Sequence, residues 1–123
     1  MVEFYDLIHN IEKRPALYLG QPTITHLGTF LAGYNFARRQ LGIPQTEQEQ
    51  RFSEFQEWIE QKFKVRSSQS WEKIILFYSQ DEFSALKFFF TLFHEFSQEA
   101  VKETVQATVE SLEGRSRLSI PSP

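Results

Sequence analysis

The sequence DEFSALKFFFTLFHEF, from Asp81 to Phe96, decides the fold of this chain. On a helical wheel at about 100° per residue, its apolar side chains cover roughly 220° of the circumference. These side chains belong to Phe83, Leu86, Phe88, Phe89, Phe90, Leu92, Phe93 and Phe96. A surface helix needs an apolar stripe only a little over ~100° wide. We therefore expect a central helix that other segments cover on at least two sides.

The segments before this stretch also have helical patterns. Apolar residues at helical spacing predict a helix over the first dozen residues, which Pro15 ends near Lys13. A second helix begins at Thr23 or Thr25, either of which can cap it, and ends at Gly42. The apolar stripe of a third helix consists of Phe52, Phe55, Ile59 and Phe63.

Two connections and one ambiguous segment complete the pattern. Residues 13–20 (KRPALYLG) are predicted to be a compact non-helical passage with a turn at Gly20, and residues 45–50 (QTEQEQ) a polar linker. Residues 71–78 have helical spacing but contain a β-rich run that would suit a buried strand. Helix is favoured because a lone strand has no evident partner. The predicted fold is all-α, with four or five helices around the central one, and it leaves open one short strand near Leu17 or Ile75.

The helical pattern continues beyond Phe96. Val101, Val105, Thr108 and Leu112 follow one another at steps of four and three residues, and neither proline nor glycine intervenes before Gly114. We predict a single helical domain over residues 1–113 and a flexible tail over residues 114–123.

Composition narrows the function classes. The net charge of −3 and the isoelectric point near 5.6 give no electrostatic footprint for nucleic acid. No apolar run approaches the ~18 residues of a membrane span. The absence of cysteine rules out disulfides and thiolate ligands and suits a reducing compartment, so a cytoplasmic protein is expected.

Motifs for catalysis and metal binding are incomplete. His94-Glu95 opens like the zinc-protease pattern HExxH, but Gln98 stands where the second histidine is required. The remaining histidines, His9 and His26, have no metal-ligand partner close in sequence. We predict no metal, no cofactor and no catalytic residue.

One passage has a pattern suited to binding an anion. Arg14 and Tyr18 lie in the predicted non-helical passage, and Thr23 stands at a helix start, where unpaired backbone N–H groups can hold negative charge. The competing interpretation is structural, with Arg14 capping the first helix and Tyr18 packed in the core.

A second candidate site is an interface. The wide apolar arc of the central helix, including Phe88, and the stripe of Val101, Val105 and Leu112 have no obvious segment to pack against. Pairing with a second copy about a two-fold axis would bury both surfaces, so a homodimer is expected. The alternative is that the stripe folds back on the first helix, which also needs cover.

A series of short motifs over residues 4–98 resembles a family of small uncharacterised bacterial proteins. Some members of that family resemble immunity proteins of bacterial toxin systems. The resemblance implies no enzymatic activity and no catalytic residues. The motifs, in order, are Arg14-Pro15-x-x-Tyr18-Leu19-Gly20, Phe30-Leu31-x-Gly33-Tyr34, Phe52-x-x-Phe55-x-x-Trp58, Ser70-Trp71-x-x-Ile74, and Ala85 through Phe89-Phe90 to Glu95-Phe96.

Two functions follow from these observations. The first is a non-catalytic protein-binding module, similar to an immunity protein or an adaptor, that blocks its partner by covering it. The second is a small anion- or ligand-binding protein, or an enzyme, that uses Arg14, Tyr18 and Thr23.

Overall fold

The computed structural model describes residues 3–119, with side chains over 3–99 and 101–114. Within that part of the chain all regular structure is α-helical, which confirms the all-α prediction. The strand left open near Leu17 or Ile75 does not form, because both residues lie in helices. The helices are α1 (Phe4–Lys13), α2 (Pro15–Leu19), α3 (Ile24–Gln40), α4 (Glu47–Phe52), α5 (Phe55–Phe63), α6 (Trp71–Phe77) and α7 (Glu82–Ser119).

The described residues form six helices besides the central α7, rather than the four or five predicted, because both predicted connections contain a short helix. In α2, Pro15 stands at the first helical position, where its fixed φ suits a helix and its missing N–H costs nothing. In α4, the Thr46 hydroxyl accepts a hydrogen bond from the N–H of Glu49, whose carboxylate accepts one from the N–H of Thr46. This capping box starts a helix inside the predicted linker.

The ambiguous segment is helix α6, as favoured. Its Ile74 and Ile75 are buried, and the N–H of Ile74 donates to the carbonyl of Ser70. Helix α6 packs closely on α3 at Gly28, where a Cβ would lie 3.0 Å from Oε1 of Glu72. A glycine inside α3 therefore permits the approach of α6.

The chain divides into two units, Met1–Thr91 and Leu92–Pro123. Aromatic rings form much of the core of the first unit. The Phe55 ring lies 5.4 Å from that of Trp71 and 5.6 Å from that of Phe89, both edge to face. The Phe4 and Phe52 rings are 5.1 Å apart. These contacts join α1, α4, α5, α6 and the start of α7.

The second unit contains the rest of α7. In its first turns the side chains of Leu92, Phe93 and Phe96 are buried, whereas those of residues 101–114 are exposed. Helix α7 continues through Ser119, into the stretch predicted as a tail, and residues 120–123 lie outside the described part of the chain. Among the helices of residues 3–119, none has the combination of length and apolarity needed to cross a bilayer.

Asp81 precedes the first residue of α7 and is expected to contribute to the pH dependence of stability. Its Oδ1 accepts a hydrogen bond of 2.7 Å from the N–H of Ser84, and this bond lowers the pKa of the carboxyl. A lowered pKa in the folded state adds stability above the unfolded pKa, and that stability is lost as pH falls through the folded pKa.

We expect Asp81→Asn to flatten the acid dependence of stability, because asparagine caps a helix without titrating. Urea unfolding between about pH 6 and about pH 2 would measure this as a smaller decline in the free energy of unfolding. Asp6→Asn is the matched control, since it removes an exposed carboxylate from the first turn of α1. An unchanged decline in Asp81→Asn would contradict the role assigned to this cap.

Candidate functional site

The start of α3 is occupied by a carboxylate of the chain itself. Thr23 is the N-cap, and its hydroxyl accepts a hydrogen bond of 3.1 Å from the N–H of His26. The backbone N–H of Thr25 donates to Oε2 of Glu82 at 3.1 Å, and the Thr25 hydroxyl donates to Oε1 at 2.6 Å. The positive end of the helix dipole thus already holds negative charge. An external anion would compete with Glu82 there.

The other two residues predicted to bind an anion have different surroundings. Arg14 is exposed, and its backbone N–H donates to the Asn10 carbonyl at the end of α1. Tyr18 is half-buried, with its ring edge to face against Phe30 at 6.5 Å. Both positions fit the structural interpretation. The anion site at Arg14, Tyr18 and Thr23 stays a prediction.

A groove of about 450 Å³ lies beside α6. One wall is the loop that follows α5, and the other is the exposed side of α6. The loop begins at Lys64, whose left-handed backbone (φ 55°) ends α5, and Gln56 holds it through a hydrogen bond of 3.0 Å to the Gln69 carbonyl. We call this feature the α6 groove. It is lined by Val65, Arg66, Ser67, Gln69, Lys73, Ile74, Phe77 and Tyr78.

Aromatic side chains form the exposed rim of the α6 groove. Phe77 is 79% exposed and Tyr78 is 46% exposed. The Tyr78 ring stacks on Phe63 at 4.6 Å, and the Phe77 ring meets Tyr78 edge to face at 5.0 Å. Contact with Phe63 and Phe77 restrains Tyr78. An apolar surface of this kind is typical of interaction sites.

The charge in the α6 groove is positive, in contrast to the net charge of the chain. Arg66 and Lys73 line the groove, and no Asp, Glu or His does. Neither cation forms an ion pair with any side chain that the structure describes. A neighbouring groove shares Val65 and Arg66 but is also lined by Glu57 and Glu60. Cationic lining without acids is thus a property of the α6 groove and not of its neighbour.

The residues predicted to form an interface lie in both units. Phe88 is half-buried in the first unit, with its ring edge to face against Phe63 at 5.9 Å. Val101, Val105 and Leu112 lie in the second unit and are 61%, 56% and 57% exposed. Their use as an interface stays a prediction, as do the predicted absences of metal, cofactor and catalytic residues.

Four residues of the α6 groove were missed by sequence reasoning. They are Arg66, Lys73, Phe77 and Tyr78, none of which a sequence motif singles out. A signal was available: the pair Phe77-Tyr78 continues an apolar run after Ile75, although one helix face cannot bury all of these side chains.

Comparisons with known proteins give no match to this chain among family models, curated proteins or solved structures. The resemblance to a family of small bacterial proteins therefore stays an expectation that rests on the quoted motifs.

Proposed function

We propose that this chain is a non-catalytic protein-binding module that docks its partner in the α6 groove. It would act as immunity proteins and adaptors do, by covering a surface of the partner. The observation that carries the proposal is the exposure of Phe77, at 79%, on the rim of a groove lined by two cations that form no ion pair with the side chains the structure describes. A phenylalanine left in water loses the free energy that burial would give, about 1.5–3 kcal/mol. A partner that covers Phe77 recovers that free energy.

The lining of the groove indicates the chemistry of the partner. Ile74, Phe77 and Tyr78 form an apolar surface that fits an aromatic or aliphatic side chain. Arg66 and Lys73 favour carboxylates beside that side chain and would speed the encounter with an acidic surface. The lining includes none of the histidines and carboxylates that most often act as general acids and bases. This supports binding over catalysis.

The alternative, an anion- or ligand-binding site at Arg14, Tyr18 and Thr23, has less support. The Thr23 hydroxyl accepts a hydrogen bond from the N–H of His26, and the N–H of Thr25 donates to Glu82. A ligand would have to displace Glu82 to reach the N–H of Thr25.

Replacing Phe77 by serine is expected to weaken binding strongly while leaving the fold intact. Loss of a central aromatic contact typically costs 2 kcal/mol or more of binding free energy, roughly a 30-fold loss of affinity. The experiment is affinity capture from extracts of the native organism, with each captured protein quantified by mass spectrometry and its affinity then measured with purified partner. Thermal unfolding should change little, since an exposed substitution usually alters stability by less than ~0.5 kcal/mol.

Leu41→Ser is the matched control, because Leu41 is 75% exposed and lies outside the α6 groove. The partner should be retained by the wild type and by Leu41→Ser and lost by Phe77→Ser. Equal retention by all three proteins would reject the α6 groove as the docking surface.

A further inference from the structure

A second surface, separate from the α6 groove, lies on the last described turns of α7. Four apolar side chains project from one face of this helix and are 40–61% exposed. We call them the α7 stripe: Val101, Val105, Val109 and Leu112. Val109 was not among the residues expected from the sequence, and it widens the stripe. Four exposed apolar residues on consecutive turns are contiguous, unlike the single exposed residues common on any surface.

The two flanks of the α7 stripe differ in charge. At about 100° per residue, the stripe spans an arc of roughly 80°. Lys102 and Glu113 both border it on one flank, at opposite ends. On the other flank lie the small uncharged residues Thr104 and Ser111. This distribution decides how two such helices can pair.

We propose that the α7 stripe binds the same stripe of a second copy of the chain, with the two helices antiparallel about a two-fold axis. The axis passes near residues 106 and 107, so that Val101 of one copy lies opposite Leu112 of the other. Val105 and Val109 then face each other across the axis. Each copy buries its exposed apolar side chains with the same surface of its partner, which is the arrangement that a two-fold dimer requires.

Charge complementarity favours the antiparallel arrangement over the parallel one. A two-fold axis perpendicular to the helices places the same flank of both copies on the same side. Lys102 of each copy then meets Glu113 of the other, which gives two ion pairs. In a parallel pair the charged flank would face Thr104 and Ser111 instead, and no such pair would form. The paired segment, residues 101–114, is only about 20 Å long, so we expect a reversible dimer.

Cysteine crosslinking tests the orientation directly, because the native chain contains no cysteine. Val101→Cys and Leu112→Cys are prepared separately in the full chain, and each is oxidised alone and in an equal mixture. Antiparallel pairing predicts a mixed disulfide at least tenfold more abundant than either self-disulfide. Glu103→Cys, on the opposite face of the helix, is the control for random collision.

Two crosslinking outcomes would overturn the proposal. Self-disulfides of Val101→Cys and of Leu112→Cys that exceed the mixed product indicate a parallel pair. Yields no higher than that of Glu103→Cys, together with a monomeric wild type in sedimentation at about 100 μM, indicate that no second copy covers the stripe.

A charge exchange tests the proposed ion pairs independently of cysteine chemistry. Lys102→Glu places two acids together at each end of the pair and is expected to weaken the dimer about tenfold in sedimentation equilibrium. The double variant Lys102→Glu with Glu113→Lys restores opposite charges and should return the dissociation constant to within about threefold of the wild type. Circular dichroism of each monomer checks that α7 stays helical. A double variant no tighter than Lys102→Glu would reject the antiparallel register.

Discussion

Replacing Phe89 by alanine is expected to lower the free energy of unfolding by about 3–5 kcal/mol, as truncation of a buried phenylalanine usually does. The Phe89 side chain is fully buried. Its ring stacks on Trp71 at 5.1 Å and meets Phe55 edge to face at 5.6 Å. Alanine would leave a cavity where α5, α6 and α7 meet. The loss would be a large share of the ~5–15 kcal/mol typical of a whole domain.

Phe83→Ala provides the matched control on the same helix. Phe83 is 53% exposed, so its truncation is expected to cost less than about 1 kcal/mol. Urea unfolding followed by circular dichroism measures both variants under the same conditions. A loss of less than about 1 kcal/mol in the free energy of unfolding of Phe89→Ala would show that Phe89 does not stabilise the packing of these helices.

Hydrophobic periodicity predicted the long helices correctly. It predicted only in part which side chains of α7 are buried. The stripes of α1, α3 and α5 were legible because their apolar residues recur every three or four positions. The wheel also assigned Phe83 to the buried arc, although Phe83 is exposed and Phe88 only half-buried. Periodicity gives the direction of a side chain but not whether another element covers it.

The two short helices were missed because local signals compete there. Gly20 and Pro15 are both common in turns, and the six residues of QTEQEQ have no apolar stripe. In the structure, Pro15 opens α2 and Gly20, with a φ of +79°, closes it. A helix of one or two turns is held by its caps and its neighbours rather than by a stripe, so periodicity does not detect it.

The candidate site was less predictable than the fold. The α6 groove depends on the left-handed turn at Lys64 and on how the loop after α5 lies beside α6. Neither feature has a sequence signature, since lysine is not the residue usually found at such turns. The start of α3 shows the same limit. Its cap at Thr23 was predictable. The hydrogen bond from Thr25 to Glu82, which lies 57 residues away in the sequence, was not.

The ion pair between Arg38 and Glu49 was not predicted from the sequence either. Breaking it is the second change for which we expect a large loss of stability. The Arg38 Nε and Nη2 atoms donate to the two carboxylate oxygens of Glu49 at 2.9 and 2.7 Å. The side chains are only 14% and 5% exposed. We expect Arg38→Met to cost about 3 kcal/mol, near the lower end of the range for breaking a buried pair, because it leaves the Glu49 carboxylate buried without its cation.

A double variant separates the cost of an unpaired buried charge from the loss of packing around Arg38. Glu49→Gln removes the charge but can preserve the capping box with Thr46, since glutamine also serves in that position. Arg38→Met with Glu49→Gln should therefore be at least ~1 kcal/mol more stable than Arg38→Met alone. Glu47→Gln, at a position 83% exposed, controls for the change of net charge and should alter stability by no more than ~0.5 kcal/mol. Urea unfolding of the four proteins gives the comparison. If the double variant were no more stable than Arg38→Met, the cost would come from lost contacts of Arg38, including that with the Tyr34 ring, and not from the stranded carboxylate.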